Sequence, residues 1–109
     1  SMQDLLSRHE SDSNGNPAGG LTTATGLEIS WQNGQNGPLG RDSDRKEPNG
    51  CFVETVIMAA ISRLNYYQEA KFACSENREA IVYLQSALQS LKNRTLQREA
   101  RSVEGTHEV

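Results

Sequence analysis

Residues 52–95 carry two apolar stripes at helical spacing, and these constrain the fold more than any other feature of the chain. The first stripe is Val53, Val56, Ile57, Ala60, Ile61, Leu64 and Tyr67. Steps of three and four residues place these side chains on one face of a helix spanning residues 52–68. Asn49 or Gly50 is suited to cap its start. The segment EAKFACS, residues 69–75, breaks the stripe. Ser75 suits the N-cap of a second helix, and Glu76 and Glu79 are favoured near its electropositive N-terminus. The second stripe is Ile81, Leu84, Leu88, Leu91 and Thr95, flanked by Ala80 and Ala87, and predicts a helix ending near Arg101.

Ahead of the helices the period changes to two. In LEISWQ, residues 27–32, Leu27, Ile29 and Trp31 alternate with Glu28, Ser30 and Gln32, which predicts a half-buried strand. NGQNGPLGRDSDRKEPNG, residues 33–50, is dense in turn formers and predicts a long loop. Residues 1–26 are rich in Ser, Asn, Gly and Thr with little periodicity, apart from residues 3–9, which suit a fragment of helix. They read as a flexible polar N-terminal segment, and residues 27–109 as a strand plus helical-hairpin domain. Ser1, ahead of Met2, reads as a cloning remnant and is set aside. The expected fold class is α+β and mostly helical: short N-terminal strand(s), then an antiparallel two-helix hairpin.

Such a hairpin cannot bury both stripes by itself, and a lone strand has two open edges. Only 35% of the residues are hydrophobic and the mean hydropathy is −0.68, which leaves little material for a self-contained core. Burial therefore predicts a homo-oligomer: strands pairing, and two hairpins packing as four helices. A dimer satisfies this, and a hexamer is a larger alternative.

The net charge of −3 disfavours binding to a nucleic-acid polymer. Charge is uneven, however. Between Lys92 and Arg101 there are four bases and one acid. The longest apolar run, VIMAAI, is too short to span a membrane, and no signal peptide is recognisable. Cys51 and Cys74 lack metal-site spacing and read as reduced, buried residues of a cytosolic protein. His9 and His107 sit near the ends, so neither a metal nor a cofactor is expected. No nucleophile–base pair, phosphate-binding glycine loop or spaced carboxylate pair is present, so the chain does not read as an enzyme.

The candidate binding residues are polar groups on the helices. Arg94 and Arg98 lie four residues apart and face one way, and Arg101 extends the row. Arginines suit a helix C-terminus for purely electrostatic reasons. Their forked guanidinium also matches phosphate oxygens in bidentate fashion. Asn77, in the first turn of the second helix, is either an ordinary polar residue or an amide that reads a base or ribose beside free backbone N–H groups. Of Tyr66 and Tyr67, one can pack while the other stacks on a base. Asn77 and Arg94 are separated by about 26 Å along one helix, so they reach one small ligand only if second helices run antiparallel between subunits.

WQNG, NGCFVETVI, FACSENREAI and NRTLQREARSVEGTHEV occur in that order. Together they resemble the phage-encoded Thoeris anti-defence proteins of the first type described, over residues 27–109. The closing RTLQREARSVEGT is fairly specific in combination with the others, while each piece alone is weak. The resemblance implies a sponge that binds a cyclic ADP-ribose isomer, glyco-cyclic ADP-ribose, without cleaving it, in the cytoplasm of the infected bacterial host. It implies pockets between subunits, and in some members a separate site for the cyclic di- and trinucleotides of CBASS immunity. Related anti-CBASS sponges share the helical hairpin. On this resemblance Tyr67, Asn77, Arg94 and Arg98 are pocket residues and Glu99 accepts hydrogen bonds from ribose hydroxyls; Arg101 joins the candidate set from its spacing alone. The alternatives are a sponge mainly for cyclic oligonucleotides, or a helical oligomerisation module with a protein partner.

Overall fold

A computed structural model describes residues 4–34 and 48–107, with side chains described as far as residue 101. The element order is β1 (Leu6–Ser11), β2 (Pro17–Ala24), β3 (Leu27–Asn33), α1 (Val53–Glu69) and α2 (Ser75–His107). The predicted class is observed: an α+β chain, mostly helical, with its strands first. The chain divides into two compact units at the Phe52/Val53 boundary.

The first unit is a three-stranded antiparallel sheet in the order β1-β2-β3. The predicted strand is β3. Residues 6–24, read from the sequence as part of a flexible segment, instead supply β1 and β2. They fold because their turns are well specified. Asp12 Oδ1 accepts from the N–H groups of Asn14 and Asn16, both at 2.9 Å, and so organises the β1–β2 turn. Gly26, at φ 78°, closes the short β2–β3 hairpin.

Gly20 is opposite His9, at φ 140°. A Cβ there would lie 2.1 Å from the Arg8 carbonyl oxygen, so glycine is what lets β1 approach. Thr22 on the central strand is 4% exposed. Its hydroxyl accepts from Trp31 Nε1 at 2.8 Å and shares a 2.9 Å bond with Ser7 Oγ, so it links all three strands and leaves no buried hydroxyl unpaired.

The outer edge of β3 is covered by residues 49–51. Cys51 N–H donates to Ser30 O, and Gln32 N–H donates to Cys51 O. Asn49 exchanges side-chain bonds with the Asn33 N–H and C=O, and Gln32 Oε1 accepts from the N–H groups of Asn49 and Gly50. The amide of Asn49, expected to cap α1, is thus committed to the sheet. The remainder of the predicted loop, residues 35–47, lies outside the described residues.

Gly50 has its own steric reason. A Cβ would sit 2.5 Å from the Trp31 carbonyl oxygen. Gly50→Ala should push this cover off β3 and cost about 1–3 kcal/mol. The checks are thermal unfolding and faster amide exchange at Gln32.

The second unit is a helical hairpin. Residues 70–74 join α1 to α2, and the two helices pack against each other. The predicted starts hold to within a residue, but α2 continues past Arg101 to His107. Seventeen residues give α1 about 26 Å, and thirty-three give α2 about 50 Å. With a tight turn between them, α1 covers only the first half of α2. Among the described residues, Ile81, 9% exposed, is the buried hydrophobic residue of this unit, as Ile29, 7% exposed, is of the sheet. Large apolar side chains elsewhere stay open, among them Met58, Val82 and Tyr83.

Candidate functional site

The residues singled out by sequence lie at two places on the hairpin. One is its tip. Tyr67 sits in the last turns of α1, with its ring 6.3 Å from Phe72 in an edge-on arrangement and 6.1 Å from Tyr66. The Arg63 guanidinium lies over both tyrosines, 5.0 Å and 5.2 Å from the ring centroids. Its Nε–H donates to Tyr67 Oη at 3.3 Å. That hydrogen bond is the main reason the guanidinium is held above its ordinary pKa. The result is an aromatic cluster with a fixed positive charge against it.

Asn77 joins this cluster. Its Nδ2–H donates to the Phe72 carbonyl at 3.1 Å, and its own backbone N–H donates to Cys74 Sγ at 3.4 Å. Cys74, not Ser75, therefore fills the N-cap position of α2. Ser75 instead hydrogen-bonds Glu76. The Glu76 carboxyl is held below its usual range by its own backbone N–H and then by Ser75. The Gln68 amide closes the turn by bonding both the N–H and C=O of Cys74. Both cysteines are free, as expected, but Cys74 is exposed and Cys51 half-buried, so neither is the buried thiol predicted.

The other place is the uncovered half of α2. Arg94, Arg98 and Arg101 are exposed and fall within about 60° of one another around the helix. None of them makes an ion pair among the described residues, where the salt bridge present is Arg8–Glu10. Glu99 is half-buried and stands about 140° around the helix from Arg94, beyond Thr95. Within one chain the fold thus does not bring Glu99 to the arginines. Nor does it bring Asn77 to Arg94, which lie about 26 Å apart along α2.

Sequence reading missed Arg63 and Phe72. The signal for Arg63 was its spacing of three and four residues from Tyr66 and Tyr67. A shallow groove on α1, lined by Met58, Ile61, Ser62, Asn65, Tyr66 and Glu69, touches the cluster through Tyr66. No group of metal-ligating side chains occurs among the described residues. No helix there is long and apolar enough to cross a membrane.

Thoeris anti-defense 1 of Bacillus phage SBSphiJ7 is 50% identical to this chain over 60 residues. Over that stretch the chain is similar to a Thoeris anti-defence protein. The matched stretch covers 55% of this chain and 42% of that relative, so it spans less than half of the curated Thoeris anti-defence protein. No family model matches the chain.

Proposed function

We propose that this chain is a phage anti-defence protein that sequesters a cyclic ADP-ribose isomer, glyco-cyclic ADP-ribose, intact, and so silences Thoeris immunity in the cytoplasm of the infected host. The observation that carries the reading is the row of exposed arginines at 94, 98 and 101, which pair with no acid among the described residues, on the half of α2 that extends beyond α1. Cyclic ADP-ribose isomers carry a pyrophosphate, which guanidinium forks grip in bidentate geometry. They also carry an adenine, which aromatic faces stack on, and Tyr67 with Phe72 offers such faces.

One chain cannot bring the two halves of this recognition together. A homodimer can. If two copies of α2 cross antiparallel near residues 85–86, Asn77 and Tyr67 of one chain come level with Arg94 and Arg98 of the other. Exposed Val82 and Tyr83 lie near that crossing and gain burial from it. About 24 Å of helix beyond the cover of α1 would be marginal alone and is stabilised by the same contact. Glu99 would accept hydrogen bonds from ribose hydroxyls of a ligand seated between chains. No step of catalysis is required, and no cofactor is proposed.

Two spatially separate surfaces on each chain also support a second reading, in which cyclic di- or trinucleotides occupy one surface and the ADP-ribose isomer the other. Competition separates the two: a shared pocket gives mutual exclusion, separate pockets give simultaneous binding.

The first test is Asn77→Ala. It removes an amide that spans the Phe72 carbonyl and the ligand, and should weaken binding of glyco-cyclic ADP-ribose about tenfold or more by calorimetry. The thermal midpoint should fall only slightly, because Cys74 and Gln68 still hold the turn. Unchanged affinity would remove Asn77 from the pocket.

A further inference from the structure

We propose that the free edge of β1 is an interface between two copies of this chain, paired antiparallel with His9 opposite His9 across a two-fold axis. The sheet treats its two edges differently. That of β3 is covered by residues 49–51 through backbone and side-chain bonds. That of β1, Leu6–Ser11, is exposed at every residue and has no neighbour among the described residues.

An uncovered strand edge presents unpaired N–H and C=O groups. The irregularity between His9 and Ser11 does not blunt it. Two steps along β1 match three along β2, so the extra residue is on β2, where Gly19 and Gly20 have positive φ. The outer edge of β1 keeps its alternation.

Register follows from two constraints. In an antiparallel ladder alternate residues aim their polar groups outward, so two identical edges pair only about a residue, not about the gap between residues. Charge and overlap then select the residue: a centre on Ser7 pairs only residues 6–8 of the strand and brings no opposite charges together. A centre on Arg8 opposes two guanidiniums, and a centre on Glu10 opposes two carboxylates, and both are unfavourable. A centre on His9 sets Arg8 opposite Glu10 of the second copy, twice over, and Ser7 opposite Ser11.

Within one chain Arg8 and Glu10 already share a face, with Arg8 Nε donating to Glu10 Oε1 at 2.7 Å. The pairing joins these couples into an alternating square of four charges. Both couples are largely exposed in the single chain, which leaves them free to re-pair. This interface does not depend on the ligand reading or on helix association, and each can fail without the others.

The test is a cross-link in the full chain with Cys51→Ser and Cys74→Ser. Directly opposed residues in an antiparallel pair have Cα atoms about 4.5–5.5 Å apart, within the range a disulfide spans. His9→Cys should therefore oxidise to a covalent dimer at least about tenfold faster than Leu6→Cys, whose like positions would stand about 20 Å apart. Equal rates for the two variants would overturn the register and the interface with it.

Charge reversal supplies a check that needs no cysteine. Arg8→Glu and Glu10→Arg should each weaken association about tenfold by sedimentation equilibrium. The double reversal should restore it. Single reversals without effect, or a double variant no better than the singles, would contradict the pairing.

Discussion

Arg94→Ala should lower affinity for glyco-cyclic ADP-ribose by about 10- to 100-fold while leaving the fold intact. Hydrogen bonds to charged groups contribute about 1.5–3 kcal/mol, and each 1.4 kcal/mol is a factor of ten. Arg94 is exposed on α2 and pairs with no acid among the described residues, so its removal costs the free protein little. Arg98→Ala should behave alike. Arg94→Lys should recover only part of the loss, because an ammonium keeps the charge but not the fork. The outcome is read by calorimetry beside a thermal melt. An unchanged dissociation constant, with an unchanged melt, would place the phosphate elsewhere.

The second large effect concerns the sheet. Gly20→Ala should cost about 3–5 kcal/mol, from positive-φ strain and a backbone clash together. The added Cβ meets the Arg8 carbonyl oxygen, which is backbone and has no rotamer to escape into. The hydrophobic core among the described residues is small, resting on Ile29 and Ile81, so this is a large part of typical domain stability. Amide exchange should accelerate first along β1, at Ser7 to His9. Protection equal to the parent chain would mean that β1 does not approach Gly20 this closely.

The parts of the fold that were legible in the sequence are those whose apolar residues repeat at a clear period. β3 alternates through Leu27, Ile29 and Trp31, and the two helices carry long stripes. β1 and β2 were hidden for a physical reason. β1 is exposed throughout, so no burial pattern marks it. β2 packs through small residues, Ala18, Gly19 and Gly20, with only Leu21, Thr22 and Thr23 hinting at a strand. What fixes both is turn chemistry at Asp12, Gly15 and Gly26, which is local and easily read as loop.

The candidate residues divide in the same way. Helical spacing puts Arg94, Arg98 and Arg101 on one side of α2, whose helical span includes all three. The same spacing turns Glu99 about 140° away from Arg94, which the sequence reading did not draw out. The environment of Asn77 was not legible, because its partner is the backbone carbonyl of Phe72, and backbone partners leave no trace in residue type. Arg63 was passed over because a single arginine on a helix is ordinary until its two tyrosines are seen beneath it.

The central claim is sequestration, and its most direct test follows the ligand. Purified protein is mixed with glyco-cyclic ADP-ribose, freed of unbound ligand, heat-denatured, and the released material analysed by mass spectrometry. The account predicts the intact cyclic molecule, in an amount matching the protein. A linear or cleaved product would mean catalysis, and no released nucleotide would mean that the arginines of α2 face a different partner.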